Sequence, residues 1–201
     1  MLRVALTGGL ASGKSFVGKT LERLGCFLIQ ADLIGHEVIE AGGEAYEAVI
    51  REFGSGILDA GGAIQRRQLA AEVFRDPGRL AVLNSIVHPP VRRRIEQLLE
   101  DFGARNATGI AVVEAAIHIE TGGYRDYDRL IVAWCRADQQ IERAMARDHA
   151  SREEVAARLD RQMPLDEKRK YAHFVIDTSG TKENTVRQTE RVYEELRSIA
   201  Q

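Results

Sequence analysis

Leu2-Arg3-Val4-Ala5-Leu6-Thr7-Gly8-Gly9-Leu10-Ala11-Ser12-Gly13-Lys14-Ser15 stands at the start of the chain, and its reading decides the fold. From Gly8 to Ser15 it matches the pattern G-x-x-x-x-G-K-S at every fixed position. The apolar run at 2–7 reads as a buried parallel strand. After the loop, Val17, Leu21 and Leu24 recur at helical spacing. Strand, glycine loop and helix are the context in which this pattern cradles phosphate.

The residue types follow from the chemistry. Backbone N–H groups wrap an anion only where glycine allows the conformation and side chains leave room. The next helix turns its N-terminal N–H groups and positive dipole end to the same anion. Lys14 supplies a mobile cation for β- and γ-phosphates, and the Ser15 hydroxyl suits a bridging magnesium ion. The candidate nucleotide-binding residues are Gly8, Gly9, Leu10, Ala11, Ser12, Gly13, Lys14, Ser15 and Phe16. A glycine turn that carries Lys and Ser by coincidence is the competing account, and the flanking strand and helix argue against it.

The remaining 187 residues of the 201 must then build the body around that loop. A chain of this length suits one core with inserted subdomains. Hydrophobic residues make up 44% and charged residues 29%, as in ordinary globular proteins. With 28 basic and 30 acidic residues the net charge is −2, which gives no electrostatic reason to expect nucleic acid or an anionic membrane as partner. Cys26 and Cys135 are too few for a disulfide framework and read as reduced core residues. The first strand begins at Leu2, leaving no visible signal peptide, and no apolar stretch approaches the roughly 20 residues of a membrane span. The expectation is a cytoplasmic protein; composition assigns no oligomeric state.

Further along, Gly25 reads as a helix terminator and residues 26–29 as a second strand. Asp32 follows, at the carboxyl edge where open α/β sheets bind ligands. From position it suits a base or metal contact and equally an N-cap for a helix starting at Leu33. Helical patterns cover 33–40 and 44–53. Asp59-Ala60-Gly61-Gly62 resembles the D-x-x-G of regulatory GTPases but lacks a proper preceding strand, and no N-K-x-D motif is present; Asp59 reads as a turn residue.

Residues 65–104 read as helical, interrupted at Asp76-Pro77-Gly78 and at His88-Pro89-Pro90, where proline marks helix starts. Arg66, Arg67, Arg92, Arg93 and Arg94 cluster there, as a solvated face or as a cradle for acceptor phosphates. Residues 109–113 form a third strand ending at Glu114, 130–135 a fourth and 174–176 a fifth. Two helices, 138–147 and 152–161, lie between the last two, with Ser151 suited to cap the second. Gln139, Arg143 and Arg147 share one face there, as Arg158 and Gln162 do on the next helix. Exposed faces or a mobile arginine-bearing lid both account for them. A final amphipathic helix covers about 182–199. This alternation implies an α/β fold, a five-stranded parallel sheet with helices on both faces around the phosphate loop.

With these residues assembled, the chain resembles the dephospho-coenzyme A kinase family over nearly its whole length. Leu6-Thr7-Gly8-Gly9 through Lys14-Ser15 is similar to the family's L-T-G-G-x-x-S-G-K-S, and Ala31-Asp32-Leu33-Ile34 to its D-A-D-x-I, with Gln30 where Asp is common. Arg66, Leu69 and Phe74 resemble its R-x-x-L segment with a later Phe. Leu83-Asn84-Ser85-Ile86-Val87-His88-Pro89 resembles L-N-x-I-x-H-P, its most distinctive signature outside the loop. Glu120 and Tyr124, the lid pattern of Gln139, Arg143, Arg147, Arg158 and Gln162, and residues 172–180 complete the match. Ala116, His118, His173 and Thr178 depart from it, and none of these touches Lys14, Ser15 or Asp32.

The resemblance implies a P-loop NTPase fold of nucleoside-monophosphate-kinase type and transfer of the ATP γ-phosphoryl to the ribose 3′-hydroxyl of dephospho-CoA, with ATP and Mg²⁺ as cofactors. It makes Asp32 the general base or orienter, Lys14 the stabiliser of the transferring group, Ser15 the magnesium ligand, and Arg143 and Arg147 lid residues on ATP phosphates. Arg66, His88, Glu120 and Asp32 become acceptor-binding candidates. The nucleotide-binding core would comprise 1–32, 108–136 and 172–201, the acceptor subdomain 33–107 and the lid 137–171. The rivals are another small-molecule or nucleoside-monophosphate kinase of this fold, against which the His88-Pro89 segment speaks, and a nucleotide-dependent switch, against which the missing guanine-reading motif speaks.

Overall fold

The computed structural model describes residues 1–74 and 76–201. Five strands, β1 (Leu2–Gly8), β2 (Phe27–Gln30), β3 (Ile110–Glu114), β4 (Arg129–Trp134) and β5 (Phe174–Asp177), form one sheet in the order β2-β3-β1-β4-β5. All pairings are parallel; Val4 stands opposite Val112 on one side and Arg129 on the other. β1 is thus flanked by β3 and β4, and the chain leaves it at the point where the strand order changes direction. That is where ligands bind in open α/β sheets.

Alternation sorts the strand residues into two cores. Leu2, Val4 and Leu6 of β1 join Ile131 and Ala133 of β4 in one cluster, with Val17 and Leu21 of α1 (Lys14–Arg23). Ala5, Leu130 and Val132 point the other way and pack with Ile119, Cys135 and Leu165. The sheet is therefore buried on both faces, as a parallel sheet must be. Cys26 and Cys135 are both free and buried, and burial pushes the Cys26 thiol up to about 12, so it stays protonated and inert.

The chain falls into two compact units, residues 1–30 with 101–201, and residues 31–100. The first holds the sheet, α1, and α6 (Ala137–Asp148), α7 (Arg152–Leu159), α8 (Leu165–Lys168) and α9 (Lys182–Ala200). The second holds α2 (Ala31–Glu37), α3 (Tyr46–Phe53), α4 (Arg66–Phe74) and most of α5 (Pro77–Arg105). No helix among the described residues is long and apolar enough to cross a membrane.

Two expectations from the sequence change. The helix after β2 starts at Ala31, so Asp32 lies inside its first turn and is not the N-cap. His88-Pro89-Pro90 does not break α5, which runs on through both prolines. Each proline there removes one i→i−4 hydrogen bond at a cost of roughly 3 kcal/mol, a cost that 29 residues of surrounding helix absorb. Pro77 behaves as expected and starts α5, with the Asp76 carbonyl accepting from Arg79 and Leu80. Ser151 caps α7 in a reciprocal box with Glu154, and Asp59 closes its own turn on the Gly61 and Ala63 N–H groups.

Candidate active site

The loop from Gly9 to Gly13 turns β1 into α1. Gly13 sits at φ +84°, in the left-handed region that glycine adopts without strain, and its carbonyl accepts from Phe16 and Val17 to start the helix. Lys14 and Ser15 follow as the first helical residues, so their N–H groups lie among the unpaired donors at the helix start.

Both side chains converge on one atom. Lys14 Nζ lies 2.7 Å from Glu114 Oε1, and Ser15 Oγ donates to the same oxygen at 2.6 Å. Gln30 Nε2, at the end of β2, donates to Oε2 at 3.0 Å. Glu114 ends β3, the strand between β1 and β2, so sheet pairing alone carries it to the foot of the loop. Burial alone would raise its pKa; the Lys14 charge and the hydrogen bonds from Lys14, Ser15 and Gln30 outweigh it and hold the carboxyl below its ordinary value. An ionised carboxylate beside the Ser15 hydroxyl is the hard-oxygen pair a magnesium ion takes from a protein while phosphates and water supply the rest. Ser12 Oγ is buried with no partner among the described residues, a donor that a phosphate oxygen would satisfy. The residues present fit a magnesium-bound triphosphate.

A second ion pair, with its lysine fully buried, underlies the loop. Lys168 is fully buried, and its ammonium meets Ala116 O at 2.6 Å, Glu120 Oε1 at 2.8 Å and Gly8 O at 3.3 Å. Burial lowers the pKa of Lys168, and the hydrogen bond and charge of Glu120 pull against that fall. Glu120 also accepts from the Met163 N–H at 3.1 Å. These contacts tie the segment after β3 to the last residue of β1.

The α6 and α7 residues divide. Arg143 donates to Thr178 O at 2.7 Å and to its Oγ1 at 3.3 Å, while Thr178 Oγ1 donates to Ser12 O at 2.7 Å. Arg143 is therefore one hydrogen bond removed from the phosphate loop. Gln139, one turn earlier, donates to Ser179 O. Arg147 instead pairs with its neighbour Asp148 at 2.7 Å, and Arg158 joins the same carboxylate at 2.6 Å. The hydrogen bond from Arg147, followed by that from Arg158, holds Asp148 well below the usual carboxylate range.

In the unit 31–100 Asp32 is exposed in the first turn of α2, and Arg66 pairs loosely with Glu40 at 3.5 Å. His88 is half-buried on α5; burial and then the Arg92 charge lower its pKa. The structure thus gathers Lys14 and Ser15 with Glu114, and Glu120 with Lys168. Glu114 and Lys168 escape sequence reasoning as site residues. The available signal for Glu114 is an acid at the carboxyl end of a strand, the same signal that singles out Asp32; Lys168 gives none.

With cation, hydroxyl and carboxylate gathered on an amide-lined loop at the sheet's switch point, the protein falls in the class of P-loop kinases. A family model described as CoaE, dephospho-CoA kinase, matches residues 2–184. The dephospho-CoA kinase of Aquifex aeolicus is 39% identical over 196 residues, 98% of each chain. The crystal structure of TT1252 from Thermus thermophilus superposes with a TM-score of 0.81 at 32% identity, covering 96% of this chain and 97% of that one. Dephospho-CoA kinase from Campylobacter jejuni gives 0.65 at 25% identity, with 96% of each covered. The chain belongs to the dephospho-CoA kinase family.

Proposed function

We infer that this chain catalyses the ATP-dependent phosphorylation of dephospho-CoA to coenzyme A, and propose that the γ-phosphoryl passes to the ribose 3′-hydroxyl. The observation that carries the nucleotide half is the convergence of Lys14 and Ser15 on Glu114. Family membership supports the acceptor.

In this reading Lys14 leaves Glu114 for the phosphates and neutralises the transferring group. Ser15 and Glu114 would hold the magnesium ion, which supplies charge neutralisation across the β- and γ-phosphates. Glu114 starts out ionised, its pKa held down against burial chiefly by Lys14; once Lys14 turns to the phosphates, the charge of a bound magnesium ion would hold it so. The loop's remaining backbone N–H groups, among them those of Lys14 and Ser15 but not that of Leu10, and the Ser12 hydroxyl bind the remaining phosphate oxygens. Asp32 orients the attacking hydroxyl and accepts its proton as the new P–O bond forms. Residues 33–107 take the acceptor, with Arg66 and His88 on its phosphates and polar groups. Glu120, with one oxygen committed to Lys168, contributes its second. Residues 137–171 act as the lid: Arg143 and Arg147 exchange Thr178 and Asp148 for nucleotide phosphates as it closes and water is excluded.

The test is a transfer assay with ATP and Mg²⁺, offering dephospho-CoA beside AMP, CMP and shikimate. ADP release that depends on dephospho-CoA, with coenzyme A formed, is the expected result. Turnover with another acceptor only would keep the roles of Lys14 and Ser15 and discard the substrate.

A further inference from the structure

Leu10, in the middle of the phosphate loop, is held through its backbone by two glutamines far away in sequence. Gln140 Nε2, on α6, donates to Leu10 O at 2.8 Å, and the Leu10 N–H donates to Gln162 Oε1 at 2.9 Å. Gln140 is almost fully buried and lies in the first turn of α6; Gln162 lies just beyond α7. The two residues therefore bracket the α6–α7 hairpin, and both of its ends meet one residue of the loop. The Leu10 N–H, spent on Gln162, is not a phosphate donor in this arrangement.

Gly9 gives the second observation. The pattern G-x-x-x-x-G-K-S leaves that position open, and Gly9 is not among the residues with positive φ. Backbone conformation does not require glycine there. Space favours it: a Cβ at position 9 would displace the Gln140 amide from its place on Leu10 and meet Leu165 Cγ at 3.4 Å.

We propose that Gln140 and Gln162 are positioning residues that latch both ends of the α6–α7 hairpin to Leu10, setting the shape of the phosphate loop, and that position 9 is glycine so that the latch can close. The two amides have opposite tasks, Gln140 as donor and Gln162 as acceptor, so together they fix the Leu10 residue at both its N–H and its C=O. A loop pinned this way presents its remaining N–H groups to the phosphates without reorganising on binding. This rests on the proposed nucleotide site but not on the identity of the acceptor.

The experiment is a cycle of Gly9→Ala, Gln140→Ala and the double variant, read by calorimetric titration with ADP and Mg²⁺ and by the melting temperature. Each single variant is expected to weaken ADP binding about tenfold, the scale of one buried hydrogen bond. The double variant should be no worse than Gln140→Ala alone, because the new methyl then meets vacated space. In turnover, KM for ATP should rise with each variant while KM for dephospho-CoA stays within about twofold. Additive losses would assign Gly9 to phosphate contact and overturn the latch; so would a lowered melting temperature with wild-type ADP affinity. Should Gly9→Ala not fold, the same cycle with Gln140→Ala and Gln162→Ala decides, non-additive losses being expected and additive ones overturning the proposal. ADP titration needs no acceptor, so a wrong acceptor assignment leaves this result readable.

Discussion

The phosphate loop and the helical unit 31–100 hold their candidate residues in opposite ways. Around the loop the buried charges are fixed by partners brought from distant segments: Glu114 by Lys14, Ser15 and Gln30, and Lys168 by Gly8, Ala116 and Glu120. In the helical unit, Arg66 and Glu40 are both more than half exposed at 3.5 Å, and Arg93 pairs with Glu44 on the surface. Exposed ion pairs contribute roughly 0–1 kcal/mol each, so their arginines can change partners at little cost. The phosphate-loop cluster is thus built in advance, while the arginines of the helical unit, proposed above to meet the acceptor, are held only by exposed ion pairs.

The largest effect that would sharpen this contrast is expected at Lys14. Lys14→Met should lower kcat/KM by about 10³ or more, since it removes the cation proposed to neutralise the transferring phosphoryl group. Retention of wild-type kcat/KM would end its catalytic role. Asp32→Asn comes next, with kcat falling by at least ~10² and ATP affinity nearly unchanged, because the proposed mechanism loses only its proton acceptor. Wild-type turnover in that variant would remove Asp32 from the mechanism.

Arg147→Ala should lower kcat/KM about tenfold and barely move the melting temperature, because its partner Asp148 keeps Arg158. A large drop in melting temperature with intact kinetics would instead make Arg147 structural.

The smallest effect tests the built side by pH. The folded-state pKa of Glu114 is depressed, so its ionisation stabilises the fold above the ordinary carboxylate range. That contribution is lost as pH falls through the folded-state value. In Glu114→Gln the corresponding part of the acid-side loss should vanish, about 1–3 kcal/mol for charge-assisted bonds to a buried group. Parallel stability curves for the two proteins between neutral and acid pH would show that the carboxylate adds nothing to the fold.

The phosphate loop was legible because its information is local: eight consecutive residues fix glycines, cation and hydroxyl, and the strand and helix periods lie beside them. The Gln139 and Arg143 face of α6 was legible for the same reason, since helical spacing alone puts both on one side, and both do reach residues 178–179. The run through Pro89 and Pro90 was not, because propensity sees only the lost hydrogen bonds and not the length of helix that tolerates them.

The sequence by itself determined the strand–loop–helix unit, the five strands and the family pattern, all of which depend on residues within a few positions of one another. Tertiary structure decided the rest. Glu114 is 100 residues from Lys14, and Lys168 is 160 from Gly8. Only the placing of β3 beside β1, and of α8 against the face of β1 and β4, turns an acid at a strand end and a lysine on a short helix into partners of the loop. Side-chain type and spacing encode local geometry, whereas the company a buried charge keeps is set by which strands pair and which faces pack.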